Sequence, residues 1–294
     1  MAQEDQAYVD GLNCKCTAKE DAHNGDDRWY DQGKFPTAET DSRTSFLYAA
    51  TKEEAMAVLD KKISNGTGDS APGWDGTTVG LMKQMSDYAW TQYLKAVNYL
   101  FTTQHVLPEE VYSIVKHIPK TDNPGQKLTN GWRPIALQPM PLKVATAIWC
   151  NRIEKRGLFR SVCQKGWQRG VSCQNAQRIA LNCITDARTQ GRQCFFGFVD
   201  AAKAFDSISH DVLDRTVKAL GMHKDDANLL SSMLRKQNRR CFTARGWSNP
   251  KTRPRNGVAQ GSSEGPSAFA WFLEPLLREI VSNHSQDSMC FNKY

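Results

Sequence analysis

The stretch FFGFVDAAKAFDSISH, Phe195 to His210, opens on five apolar residues, halts at one carboxylate, Asp200, and meets another at Asp206. The run Phe195–Val199 has the composition of a core strand. An acid at the end of such a strand is costly unless it is paired, hydrogen-bonded or bound to a metal. Hard divalent ions such as magnesium are held by one or two carboxylates together with substrate phosphates, and a strand end presents such a ligand rigidly. Asp200 is therefore a candidate metal ligand. On this stretch alone, a turn or helix-capping acid is an equal alternative. Asp206 stands before a helical pattern and is expected to cap it or to serve as a structural partner.

Outward from this stretch the pattern mixes strands and helices. Residues 1–44 are polar, without apolar periodicity, and are expected to be a disordered leader. TKEEAMAVLDKKI begins with a capping box, Thr51 and Glu54. The segment from Thr77 to His105 steps its apolar residues by three and four and predicts one long amphipathic helix. EEVYSIVKHIPK and WRPIAL predict strands, and PLKVATAIWCNRIEKR a helix. A basic, glycine-rich loop and a further helix closed by Gly191 come next. After the opening stretch, two helices lie at about His210 to Leu220 and Asp225 to Lys236, then a hairpin-like pair and a final helix from Pro266. A β-helix-helix-β centre of this kind predicts an α+β fold.

The 294 residues suffice for one large domain or two, and 40% hydrophobic and 23% charged residues fit a globular protein. No apolar run reaches membrane-span length, and Met1 to Asp10 lacks a signal peptide's apolar core, so an intracellular protein of nucleus or cytoplasm is expected. Nine dispersed cysteines without C-x-x-C suit reduced thiols. Cys14, Cys16 and His23 lack the pair spacing and fourth ligand of a zinc site. The net charge is +7. Between Lys116 and Arg192 the basic residues, among them Lys127, Lys143, Arg152, Arg160, Arg169, Arg178 and Arg188, meet only Asp122, Glu154 and Asp186. Such a segment is expected to face a polyanion.

Six short motifs in order give these pieces a common context. FVDAAKAFDSISH resembles the first catalytic motif of the reverse transcriptases of LINE-type (non-LTR) retrotransposons, D-x-x-K-A-F-D. GVAQG, Gly257 to Gly261, with its following helix, is similar to their G-V-x-Q-G motif. HIPK and GWRPIAL resemble the two fingers motifs, APGWDG an upstream motif, and QKGWQRGVSCQNA their Q-x-G-F-x-x-G-x-S stretch. The resemblance covers roughly Thr51 to Ile280. It implies a right-hand polymerase with N-terminal helices and fingers over 45–192 and a partial palm over 193–294. Its substrates would be an RNA template, a DNA primer and deoxynucleoside triphosphates, with two Mg2+ ions. It also implies residue roles: Asp200 and the carbonyl of Ala201 on the metals, Lys120 and Arg133 on the triphosphate, Phe205 as a gate against a 2′-hydroxyl, and Gln260 and Gly261 beside nucleotide and template. The basic stretch would follow the template–primer backbone, with Trp132 and Trp167 open to base stacking.

The chain departs from the family in two ways. The aromatic-x-D-D pair expected after G-V-x-Q-G is not found. Asp26-Asp27 lies in the leader, and Asp225-Asp226 reads as helix-start charge. SSEGP stands where P-L-S-P is familiar. These departures lead to the expectation of a C-terminally truncated polymerase, inactive alone, because catalytic groups acting as a unit are strongly non-additive. A non-catalytic RNA- or DNA-binding remnant and a group II intron maturase-like palm protein are the alternatives.

Overall fold

The computed structural model describes residues 44–284, apart from 67–70, 108, 121–130, 158, 162–163, 168–169, 202, 244–245 and 248–253. The leader, Cys14, Cys16, His23, Lys127 and Arg169 lie outside the described residues. Helix α1 (Lys52–Ser64) starts at the expected box: the Thr51 side chain accepts from the Glu54 N–H, and the Glu54 side chain accepts from the Thr51 N–H. The expected long helix is two, α2 (Val79–Lys83) and α3 (Asp87–Thr103). Ser86 is extended and its side chain caps Ala89 N–H, restarting the helix. Periodicity carries across that break and so hides it in the sequence. The remaining helices are α4 (Met140–Lys155), α5 (Cys173–Thr189), α6 (His210–Ala219), α7 (Lys224–Lys236) and α8 (Gly265–His284), with a 3-10 turn over Ala204–Ser207. Among the described residues no helix is long and apolar enough to cross a membrane.

Four strands, β1 (Tyr112–Pro119), β2 (Trp132–Leu137), β3 (Asn238–Thr243) and β4 (Gly246–Trp247), form a sheet ordered β2-β1-β3-β4. β1 runs antiparallel to β2 and parallel to β3. Phe195–Val199 is not among them. It forms no regular element and joins no sheet, with Phe198 93% and Val199 99% exposed. The expected core strand is thus corrected. Apolar β-formers set a preference, but a strand also needs a neighbour for its N–H and C=O groups. The element after α6 and α7 is β3, so the β-helix-helix-β centre lacks its first strand.

The core lies among the helices. Trp149, Trp271 and Phe159 pack edge to face, with rings 5.9 and 6.4 Å apart. Asp226 does lie in the first turn of α7, as expected of helix-start charge, and is also a buried anchor: it accepts from Trp149 Nε1 at 2.6 Å and from Phe46 N–H at 3.1 Å. Burial pushes its carboxyl up, opposed by those donors.

Arg152 corrects the basic-surface expectation. It is 4% exposed. Its N–H groups donate to both Glu54 oxygens and to the carbonyls of Phe46, Tyr48 and Ala49, at 2.6 to 3.0 Å. The Tyr48 ring lies 3.7 Å from its guanidinium carbon. Lys143 is buried as well, and Arg160 binds Glu154 and the carbonyls of Gly166 and Trp167. These cations stitch the chain to itself. Charge counted along a sequence cannot separate an internal tie from a surface group. Lys116, Lys120, Arg133, Arg178, Arg188 and Arg192 remain exposed.

Candidate functional site

The β1–β2 ribbon has one buried and one open face. Val115 opposite Ala136 lies on the buried side. Lys116 opposite Ile135 and Ile118 opposite Arg133 lie on the other, because facing residues of an antiparallel pair share a side. The ladder continues one step, from Lys120 N–H to the Gly131 carbonyl at 2.8 Å. Lys120, two residues beyond Ile118, therefore joins Arg133 on the open side. Both side chains are exposed.

The Gln260–Gly261 loop closes onto β2. Ala136 N–H donates to the Gln260 carbonyl at 2.7 Å. Gly261 has φ +108°, and a Cβ there would stand 2.9 Å from the Ala136 carbonyl oxygen, so only glycine fits. The unfamiliar SSEG builds this loop rather than disturbing it. Ser262 Oγ accepts from Gly265 N–H at 3.0 Å at the start of α8, and Ser263 Oγ donates to the Lys143 carbonyl at 2.9 Å. Glu264 is buried beside Ser262 and Gln138, within the field of Lys143. Burial raises its carboxyl, against those hydrogen bonds and the lysine charge. Burial likewise lowers Lys143, with Lys62 adding to the effect and Glu264 and Asp75 opposing it. The upstream APGWDG abuts the same corner: a Cβ on Gly73 would lie 2.6 Å from the Gln138–Pro139 peptide.

The same loop is clasped from the other side. Val258 N–H donates to the Phe205 carbonyl at 2.9 Å, and Gly257 N–H to the Ile208 carbonyl at 2.7 Å. Ser209 and Asn256 form a bridge. His210 Nε2 lies 2.8 Å from the Gly257 carbonyl oxygen, and burial lowers its imidazole pKa. The Phe205 ring stacks on Phe269 at 5.3 Å and receives the Trp167 edge at 5.9 Å. Asp206 does not cap α6. It sits in the 3-10 turn, and Ser209 caps α6 by accepting from Val212 N–H at 3.4 Å. A hydroxyl directly before the first helical residue, His210, was the available signal.

Phe205, Gln260 and Gly261 thus join β2, the strand of Arg133, in one hydrogen-bonded wall. Asp200 and Ala201 are both exposed. Among the described residues no hydrogen bond or ion pair engages the Asp200 side chain, and no group of three His, Cys, Asp or Glu residues is placed to hold a metal. His210 and Glu264, which brace the wall, were not singled out from the sequence. His210 follows the motif as an ordinary helix start, and nothing local marks Glu264 as buried.

A family described as "Reverse transcriptase (RNA-dependent DNA polymerase)" matches residues 118–292. The Pol polyprotein of the type-2 retrotransposable element R2DM of Drosophila melanogaster is 24% identical over 230 residues, 78% of this chain and 21% of that protein. The Pol polyprotein of the type-1 retrotransposable element R2 of Popillia japonica is 25% identical over 154 residues, 52% of this chain and 21% of that protein. The chain spans about a fifth of the length of these curated relatives.

Proposed function

The chain belongs to the reverse transcriptase family, of the non-LTR retrotransposon kind, and from that premise we propose that it supplies the nucleotide- and template-facing wall of an RNA-directed DNA polymerase. Residues 45–192 make the fingers and the residues from 193 onward part of the palm. Lys120 and Arg133, on the open face of the ribbon, hold the triphosphate. Arg133 suits this through its planar fork of donors. Gly261 lets the backbone approach the nucleotide closely. Phe205 is the selector against a 2′-hydroxyl, its ring fixed by Phe269 and Trp167. One observation carries this reading: the loop Gly257–Gly261 is hydrogen-bonded at once to Phe205 and to Ala136 of β2, uniting three motifs that lie far apart in sequence.

A metal-dependent nucleotidyl transfer needs ions that each take several oxygen ligands. Asp200 and the Ala201 carbonyl would be two of them. The described residues do not complete that set, since Asp200 is a solitary exposed carboxylate. What this chain's own residues supply is recognition and positioning. Residues 1–294 alone are therefore expected to bind template and nucleotide but not to extend a primer.

The unengaged Asp200 also favours a second reading, a non-catalytic RNA-binding remnant. Photocrosslinking of a labelled deoxynucleoside triphosphate to the chain on primed RNA separates the two. The polymerase reading expects a crosslink that Arg133→Ala or Lys120→Ala weakens, and ribonucleotide competition that strengthens in Phe205→Ala. The remnant reading expects salt-sensitive RNA binding with no crosslink. Processive cDNA synthesis by the chain alone would overturn the expectation of inactivity.

A further inference from the structure

Trp167 stands in a strained and open place. Its φ is +52°, a left-handed value that a bulky side chain disfavours, and the residue is 55% exposed. Phe159 is left-handed too, at φ +63°, but it is buried, and its ring packs edge to face with Trp271. Core packing accounts for that strain. It does not account for Trp167, whose ring contact among the described residues is with Phe205, centroids 5.9 Å and planes 78° apart. Strain that persists beside a recognition residue is held there by the structure around it.

Arg160 does the holding. Its Nη1 donates to the Gly166 and Trp167 carbonyls at 3.1 Å each, and its Nη2 donates to Glu154 Oε1 at 3.2 Å and Ser267 Oγ at 3.4 Å. Ser267 Oγ donates in turn to Glu154 Oε1 at 3.0 Å. The Arg160 side chain is 7% exposed, so these partners, rather than water, set its geometry. The arrangement rests on α8 at two points. Ser267 meets Arg160, and Phe269, two residues on, stacks on Phe205 at 5.3 Å. The backbone of Phe205 is tied to Val258. The direction of its ring is left to be set, and Phe269 and Trp167 bound it. Resting on the reading of Phe205 as the selector, we propose that Arg160 is its positioning residue: the guanidinium fork that holds the Gly166–Trp167 turn keeps the Trp167 ring against Phe205, so that exclusion of a 2′-hydroxyl depends on a buried cation acting through Trp167. A misplacement of about 1 Å in such a ring is enough to lose much of its discrimination. Lysine cannot stand in, because a point charge does not hold two carbonyls and a carboxylate in one fixed plane.

The test is the deoxynucleotide photocrosslink on the full chain with primed RNA, competed by the matching ribonucleotide, together with fluorine NMR of the nucleotide-free chain labelled with fluorotryptophan. Arg160→Met should strengthen ribonucleotide competition by about tenfold, Trp167→Ala by as much, and Phe205→Ala by more. Because Arg160 acts through Trp167, adding Arg160→Met to Trp167→Ala should change competition no further. Arg160→Lys keeps the charge beside Glu154 without the fork and should not restore selection. The Trp167 resonance, assigned by its loss in Trp167→Phe, should move toward the position of free indole in Arg160→Met, as the Phe205 ring current is lost. Trp167→Ala alters an exposed side chain, so it tests the proposal even where Arg160→Met fails to fold. Competition strengthened by Phe205→Ala but indifferent to Trp167→Ala and Arg160→Met, an Arg160→Met effect undiminished in the Trp167→Ala background, or a Trp167 resonance unmoved by Arg160→Met would each overturn this proposal and leave the selector reading standing. Competition unchanged by Phe205→Ala would overturn the selector reading, and this proposal with it.

Discussion

The clasp at Gly257–Gly261 and the segment at Arg192–Ala201 each carry a family-like motif, yet they are held in opposite ways. The clasp is over-determined: two neighbouring segments bond its backbone, His210 meets its Gly257 carbonyl, and the Cβ-free Gly261 lies flat on β2. The segment with Asp200 has an anchor at its start and no strand paired with it among the described residues. One chain thus carries a preassembled hydrogen-bonded wall and an unassembled acid-bearing segment. The difference teaches that residues of one motif need not be positioned by one device. Phe205 is fixed by the clasp, while Asp200, five residues earlier, lies in a segment that joins no sheet.

Substitutions can break or sharpen this contrast. The largest effect is expected in the scaffold beneath the wall. Arg152→Met leaves three carbonyls and Glu54 without their donor and should destabilise the fold by on the order of 3–5 kcal/mol, read from urea unfolding. Gly261→Ala should cost about 1–3 kcal/mol through its left-handed φ and the Ala136 contact, and should also abolish the triphosphate crosslink. A stable, crosslinking Gly261→Ala protein would break the clasp's claim to positioning.

Glu264 sharpens the contrast through pH. Its folded carboxyl is raised by burial, so the folded state holds that proton more tightly than the unfolded chain. The resulting stability is fully present below the unfolded carboxyl value and is lost as pH rises through the raised one. Glu264→Gln should flatten that part of the stability–pH profile, measured by urea midpoints from about pH 4 to pH 7. The smallest effect is expected in the unassembled segment. Phe198→Ser should change stability by less than about 0.5 kcal/mol, although the same change in a core strand would cost several times more.

Much of the scaffold was legible in the sequence because its signals are local. The capping box at Thr51, the strands β1 and β2, and the glycine end of α5 each follow from a few neighbouring residues. The open-face pairing of Lys120 with Arg133 follows once the two strands are placed. The rest was hidden where the deciding partner is distant. Phe195–Val199 has a strand's composition, but pairing depends on another segment. Arg152 looks like any basic residue until Glu54 and the carbonyls of 46–49 reach it. Asp226 looks like a helix-start acid until Trp149 does. Ser86 and Ser209 carried readable cap signals, but the first was masked by continuous periodicity and the second by the adjacent Asp206.

Hydrogen exchange at single-amide resolution tests the contrast most directly. The amides of Ala136, Gly257 and Val258 should exchange slowly, with protection approaching that of α4, while those of Phe195 to Val199 exchange at the rate of an unstructured peptide. Protection of Phe195–Val199 equal to that of Ala136 would contradict it, because the acid-bearing segment would then be as fully assembled as the wall.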